Sequence, residues 1–192
     1  MKKALTGAVL AAGMVVAMGQ GQAKKAVGIQ KGTYLKLFLD KKDLKPMRMV
    51  QDTRKKGPDP RDAEFKKYKG ITSGFSVWMG RTDHTVWRLV DIRWVFPSAK
   101  AAKAYHLKTL KKNSEGNPRV RKAPKVGSEC RVYGGKMRMR GISITHYFYI
   151  FRVKNVVVKL YAAQGPNIMS PKARLTPKHL AKIAKKILKR LK

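Results

Sequence analysis

The chain has 192 residues, of which 45 are Lys or Arg and 10 are Asp or Glu, so the formal net charge is +35. The hydrophobic fraction of 43% is sufficient for one folded domain and excludes a chain too polar to build a core. The single cysteine excludes an intramolecular disulfide. The charge far exceeds the roughly 2 to 8 of an ordinary small domain, and it favours either an anionic partner or a solvated, aggregation-resistant coat.

The N-terminus has the pattern of a secretory signal peptide over residues 1–23. Lys2 and Lys3 precede the apolar stretch 4–18, and small residues follow up to Ala23. The stretch is shorter than the roughly 20 residues that span a bilayer, although the basic pair after it leaves an uncleaved anchor as an alternative. We therefore expect an exported protein, periplasmic or extracellular.

The chain after the leader begins with weak structural signals. Residues 24–32 are polar and contain glycine, which predicts a flexible N-terminus ahead of a single α+β domain over 33–192. Residues 34–44 fit either a short helix or a strand. Residues 52–62 predict a loop, because they contain Gly-Pro and a second proline.

The pattern is clearer from residue 71 onward. Residues 71–79 and 86–96 are rich in β-branched and aromatic side chains on either side of a turn, which predicts an antiparallel pair of strands. Ser98 then caps a predicted helix over 99–113, which carries lysines in its last turn.

A second hairpin is predicted in the C-terminal half. Gly134–Gly135 suits a tight turn, and residues 142–153 and 156–163 are two strands joined by Lys154–Asn155. A two-residue turn gives a register with one wholly apolar face, in which the opposed residues are Val153 and Val156, Phe151 and Val158, and Tyr149 and Leu160.

The opposite face of this hairpin mixes aromatic, aliphatic and basic side chains. Its residues are His146, Phe148, Ile150, Arg152, Val157, Lys159 and Tyr161. Two interpretations stay open. An exposed face of this kind stacks nucleobases and neutralises phosphates. Alternatively the helix over 99–113 covers it as a second core layer, because so much apolar area is rarely left exposed.

The last segment predicts an amphipathic helix. Thr176 is a suitable N-cap, and Pro177 suits the first helical position. One apolar stripe follows, formed by Leu180, Ile183, Ala184, Ile187 and Leu191. The stripe either packs on the sheet or lies in a membrane surface. The predicted fold class is α+β, an antiparallel β-sheet packed by a central helix and a C-terminal amphipathic helix.

Residues 89–165 resemble small exported bacterial α+β domains of a Mog1/PsbP-like or extracellular sensor-domain type. The resemblance is carried by LVDIRWVFPSAKAAKAYH, VGSEC and FRVKNVVVKLYAAQG. It implies a curved antiparallel sheet packed by helices and a binding or sensing role, and it brings no catalytic motif.

Motifs for catalysis, metals and cofactors are absent from the sequence. GITSG at 70–74 misses the nucleophile-elbow spacing, and the four histidines lack metal-ligand spacing. Cys130 and His146 are the only candidate for a nucleophilic dyad, although a buried cysteine and a strand histidine are commoner. We therefore expect a protein that is not an enzyme and has no catalytic residue, cofactor or metal.

The remaining hypothesis is delocalised anion binding by the basic C-terminal part, since residues 131–192 contain no acidic residue. The candidate residues are Lys136, Arg138, Arg140, Arg152, Lys159, Lys178, Lys182, Lys185, Lys186, Lys189, Arg190 and Lys192. The first three occupy alternate positions, which predicts a row on one face of a strand. The expected partner is an anionic polymer (nucleic acid, acidic glycan or lipopolysaccharide) or an anionic membrane surface. The alternative is a small-ligand-binding or sensory domain whose basicity is incidental.

Overall fold

The computed structural model describes residues 37–44, 49–56, 63–82, 85–127, 129–165 and 175–192. The predicted signal peptide 1–23 and the flexible segment 24–32 lie outside the described residues. In chain order the elements are α1 (Lys41–Leu44), β1 (Val50–Lys56), α2 (Ala63–Lys67), β2 (Thr72–Thr82), β3 (Thr85–Val95), α3 (Ala99–Ser114), β4 (Arg131–Met139), β5 (Ile142–Val153), β6 (Val156–Gln164) and α4 (Pro177–Leu191).

The six strands form one antiparallel sheet in the order β1-β2-β3-β6-β5-β4. Each half of the sheet is a three-stranded meander of consecutive strands. The halves join where β3 pairs with β6, so β6 is a central strand although it is the last in sequence. The α+β fold class and the antiparallel pairing of the strands predicted at 71–79 and 86–96 are confirmed.

The predicted register of the β5–β6 hairpin is also confirmed. Tyr149 lies opposite Leu160, and the other predicted pairs follow in the same register. Lys154 has a φ of 50°, as a two-residue turn requires. Asn155 is buried, and its side-chain amide donates to the Phe96 carbonyl at 2.8 Å. This bond ties the turn to the end of β3.

One face of the sheet packs against α4. Thr176 caps the helix, since its hydroxyl accepts from the His179 N–H at 3.3 Å. The whole predicted apolar stripe is buried against the sheet, at Leu180, Ile183, Ala184, Ile187 and Leu191. Each large aliphatic side chain buried here contributes about 1.5 to 3 kcal/mol, so packing rather than helix propensity holds α4 in place.

The other face of the sheet packs against α3 and α2. Ser98 caps α3 by accepting from the Ala101 N–H at 3.1 Å. An aromatic cluster forms the contact, with the Phe96 ring 4.9 Å from that of Tyr105 and 5.6 Å from that of Phe65. Val157 belongs to this second core. The helix therefore covers part of the mixed face of the hairpin, as one of the two interpretations predicted.

Two local predictions are wrong. Gly134 and Gly135 lie inside β4, and the turn falls at Arg140–Gly141, where φ is 50° and 80°. A Cβ on Gly134 would approach the His146 carbonyl oxygen to 2.3 Å, so this glycine permits close approach of two strands. The first part of the loop predicted at 52–62 belongs to β1. This strand pairs with β2 through backbone hydrogen bonds, which do not depend on side-chain polarity. Residues 57–62 lie outside the described residues.

Candidate anion-binding surface

The predicted cations fall in different places on the fold. Lys136 and Arg138 lie opposite Thr145 and Ser143, on the sheet face that α4 packs against. Both side chains are exposed, and they alternate along β4 as expected. Arg140 is exposed but lies in the β4–β5 turn, so the prediction that it continues the strand row is wrong.

The orientation of α4 follows from its hydrogen bonds at both ends. At the start of α4, the Pro177 carbonyl oxygen accepts at 3.0 Å from the hydroxyl of Tyr149, which lies in the middle of β5. Lys154 Nζ donates at 2.7 Å to the Lys192 carbonyl, beside the β5–β6 turn. The helix therefore runs over the later half of β5. Thr145, opposite Lys136, lies four residues before Tyr149, or about 13 Å along the strand.

One row of lysines runs along the outer side of α4. The spacing alternates between four and three residues, which keeps the row on one side of a helix. With a rise of about 1.5 Å per residue the row is about 21 Å long. All of its members are exposed, namely Lys178, Lys182, Lys185, Lys189 and Lys192. We call this set the lysine row.

None of the lysine-row side chains has a carboxylate within ion-pair distance in the part of the chain that the structure describes. The row is also separated from the buried stripe of the same helix, because α4 turns its apolar side to the sheet. Its charge is therefore available to an external anion, and the buried stripe is not available to a membrane.

Two other cations of α4 are neutralised within the fold. Arg190 lies 2.7 Å from Asp43 and 3.2 Å from Asp40, and Lys186 lies 3.9 Å from Asp43. Burial acts to raise the pKa of Asp40. The hydrogen bond from the Asp43 N–H and the charge of Arg190 outweigh this, so the pKa lies below its usual value. Lys186 and Arg190 thus hold α1 against α4 and are less available to a ligand.

Two further predicted cations lie on the opposite face of the sheet. Arg152 donates to Glu129 at 2.8 Å, and this bond holds the pKa of Glu129 below its usual value. Lys159 is half-buried, with Nζ 4.6 Å from the centroid of the Phe148 ring. The predicted set is therefore not one surface. The internal partners of these cations could not be predicted from the sequence, because Asp40, Asp43 and Glu129 lie in other segments.

The structure separates the only candidate dyad. Cys130 is buried in the core on the α4 side, and burial raises the pKa of its thiol. His146 lies on the other face of the sheet, where Nε2 is 2.9 Å from the Asn117 side-chain oxygen. The two side chains cannot share a proton across the sheet. Among the described residues no group of three or more His, Cys, Asp or Glu side chains is arranged to hold a metal ion.

Comparison with known proteins gives a likeness of fold alone. No protein-family model matches the chain, and no curated protein sequence matches it. The extracellular domain of PknH from Mycobacterium tuberculosis is similar in structure, with a TM-score of 0.54 and 13% sequence identity. The match covers 85% of this chain and 97% of the PknH domain.

This likeness agrees with the extracellular-domain half of the predicted resemblance, whereas the Mog1/PsbP-like half stays a prediction. Of the helices that the structure describes, none is both long and apolar enough to cross a bilayer.

Proposed function

We propose that this protein is an exported, non-enzymatic binding protein that attaches to an anionic polymer through the lysine row of α4. The observation that carries the proposal is the division of α4 into two sides. Its apolar stripe is buried in the core of the protein. Its outer side carries exposed lysines that have no carboxylate within ion-pair distance among the described residues.

The length of the lysine row suits an extended ligand. A row of about 21 Å with a charge every three or four residues faces several anionic groups of one polymer strand. Lys136 and Arg138 lie on the same sheet face past the start of the helix, so they extend the basic surface. Each contact would contribute about 1 kcal/mol, and affinity would come from their number.

A membrane surface is the less favoured partner. Interfacial helices bind by burying an apolar face between lipid headgroups and acyl chains. In α4 that face packs against Tyr149, Phe151 and the rest of the sheet core. Binding to lipid would then rest on headgroup charge alone.

The decisive experiment compares two variants of equal net charge. In one, Lys178, Lys182, Lys185 and Lys189 become Gln. In the control, four exposed lysines of α2 and α3 become Gln, namely Lys66, Lys67, Lys100 and Lys111. Binding to heparin and to phosphatidylglycerol vesicles is measured against salt concentration.

The proposal predicts that log K for heparin falls linearly with log salt concentration for the wild type. The lysine-row variant should reduce that slope by about three to four, and the control should reduce it by less than one. Equal losses in both variants would show bulk attraction and overturn the proposal. Vesicle binding stronger than heparin binding would favour the membrane instead.

A sensory domain for a small ligand is the second candidate. It is supported by the likeness to an extracellular domain, although at 13% identity the likeness speaks for fold only. This candidate predicts saturable binding of a small molecule that is insensitive to the lysine-row substitutions.

A further inference from the structure

Lys159 occupies an unusual position for a cation. It lies in the middle of the central strand β6, on the face that α3 packs against. Its partners on the neighbouring strands are Ile92 and Ile150, and Val157 precedes it on the same face. Ile150 and Val157 are fully buried. The ammonium group is therefore held at the edge of an apolar layer, where an unpaired charge is costly.

The groups nearest to the Lys159 ammonium do not neutralise it. The ring of Phe148 lies beneath Nζ at 4.6 Å and gives a weak cation–π attraction. Among the described residues no carboxylate lies within ion-pair distance. Burial and the charge of Lys112 from α3 lower the pKa of Lys159 to about 8. The amine is thus still protonated at neutral pH and lacks a fixed anion.

The aromatic rings around Lys159 restrict the kind of anionic ligand that could bind beside it. Phe148 stacks on Tyr161 with centroids 4.9 Å apart, and His146 meets it edge-on at 5.5 Å. The ring of Phe148 is therefore engaged within the fold, which disfavours it as a stacking platform for a nucleobase. Tyr161 belongs to the same stack and is half-buried, so only the part of its ring that Phe148 does not cover can offer an apolar surface beside the cation.

We propose that Lys159, with Lys112 beside it, is a subsite for the carboxylate of an acidic sugar, whose ring lies against Tyr161. A uronic acid carries one carboxylate on a ring that also has an apolar surface, and it needs no free aromatic face on Phe148. This subsite rests on the proposed function, because it makes an acidic glycan the anionic polymer. It lies on the sheet face opposite the lysine row, so the two can be tested separately.

The test uses a ligand too short to depend on the lysine row. Trigalacturonate is titrated into the ¹⁵N-labelled protein at fixed salt, and the amide shifts of β5 and β6 are followed. Saturable shifts should appear around Phe148, Lys159 and Tyr161. Trigalactose, inorganic phosphate and a thymidine trinucleotide are the comparison ligands.

Two substitutions and one control assign the subsite. Lys159→Met should weaken trigalacturonate binding at least tenfold, and Lys111→Met, which removes an exposed lysine of α3, should leave it unchanged. Phe148→Leu, which removes the ring beneath the ammonium, is a second probe and should weaken binding less. Equal binding of phosphate, or preferred binding of the trinucleotide, would overturn the assignment to an acidic sugar.

The pH dependence gives an independent readout. Binding should weaken about tenfold between pH 7 and pH 9 as Lys159 loses its proton, and Lys159→Met should lose this dependence. Burial keeps the pKa of His146 below its usual value and raises that of Tyr161, so neither titrates in this range. Among the described residues, the other charged groups on this face include Lys112 from α3, Arg88 from β3, Arg131 from β4, and Arg152 from β5 with its partner Glu129.

The outcomes separate the two proposals. If the lysine-row variant loses heparin binding and the wild type does not bind trigalacturonate, only the subsite is overturned. Trigalacturonate binding that survives in the lysine-row variant supports the subsite even where the α4 proposal fails. Binding that Lys159→Met leaves intact would overturn the subsite.

Discussion

The Arg190 guanidinium and the Asp43 carboxylate lie 2.7 Å apart and join the end of α4 to α1. Arg190 also donates to the Phe38 carbonyl at 2.6 Å. The Asp43 side chain is only 9% exposed, so the ion pair lies largely out of solvent on the carboxylate side. These contacts fix α1 and the residues just before it to the last helix.

Arg190→Ala should lower the free energy of unfolding by about 1 to 3 kcal/mol, because it leaves a largely buried carboxylate short of its best partner. Lys189→Ala, at the adjacent exposed position, should change it by less than about 0.5 kcal/mol. Urea unfolding at pH 7 measures both. If the two variants were equally stable, Arg190 would be no more than a surface charge.

The ion pair between Asp91 and Arg93 is the second structural prediction. The two side chains are 2.7 Å apart and almost wholly buried, and Arg93 also donates to the Leu37 carbonyl and lies over the Phe38 ring. Asp91→Asn should cost about 3 to 5 kcal/mol, because the arginine charge stays buried without its partner.

A double-mutant cycle checks the origin of that cost. Asp91→Leu combined with Arg93→Met should be less destabilising than either single change, since no unpaired charge remains. The exposed pair of Lys108 and Glu64, 3.7 Å apart, is the control and should show a coupling of less than about 1 kcal/mol. Additive losses at Asp91 and Arg93 would contradict the interpretation.

Strong local patterns predicted the β5–β6 hairpin and α4. In the hairpin, a shift of one residue would place Arg152 and Lys159 in the core, so only one register is compatible with the pattern. In α4, the cap at Thr176 and a continuous apolar stripe agree with each other. Both signals lie within one segment of the chain, which is why the sequence alone revealed them.

Features that depend on distant segments were not predictable. Gly134 looked like a turn residue, but a neighbouring strand needs the space of its missing side chain. The cations of α4 looked equivalent, but Lys186 and Arg190 meet carboxylates of α1. Which lysines remain available to a ligand is therefore a property of the tertiary fold.

His106 provides a prediction for acidic pH. Its ring is fully buried in α3, with Nε2 2.9 Å from the Glu129 carbonyl oxygen. Burial lowers the pKa of His106 below 6.5, with the charges of Arg152 and Arg131 acting in the same direction. The unfolded chain therefore binds more protons than the folded one below pH 6.5, and stability falls as the pH falls.

His106→Gln should reduce the loss of stability between pH 7.5 and pH 5. Chemical denaturation at several pH values provides the measurement. The carboxylates with lowered pKa values, Asp40 and Glu129, titrate below this range and do not obscure the result. A wild type whose stability is flat over these pH values would refute the role of His106.

Lys159 should destabilise the protein at neutral pH, and this cost should disappear at high pH. The unfolded lysine keeps its proton up to a pKa of 10.5, and the folded one only up to about 8. Below pH 8 both states are protonated and the cost of burying the charge is complete. Between pH 8 and 10.5 the unfolded chain binds more protons, so stability relative to a variant without the amine rises with pH.

Lys159→Met should therefore raise the free energy of unfolding by about 1 to 3 kcal/mol at pH 7, since it fills the same space without a charge. The advantage should shrink towards zero near pH 10. Lys111→Met on exposed α3 should show no difference at either pH. A saturating acidic ligand would pair with the ammonium and reduce the advantage at pH 7. If Lys159→Met were less stable than the wild type at pH 7, the interpretation of Lys159 as a cation without an anionic partner would be wrong.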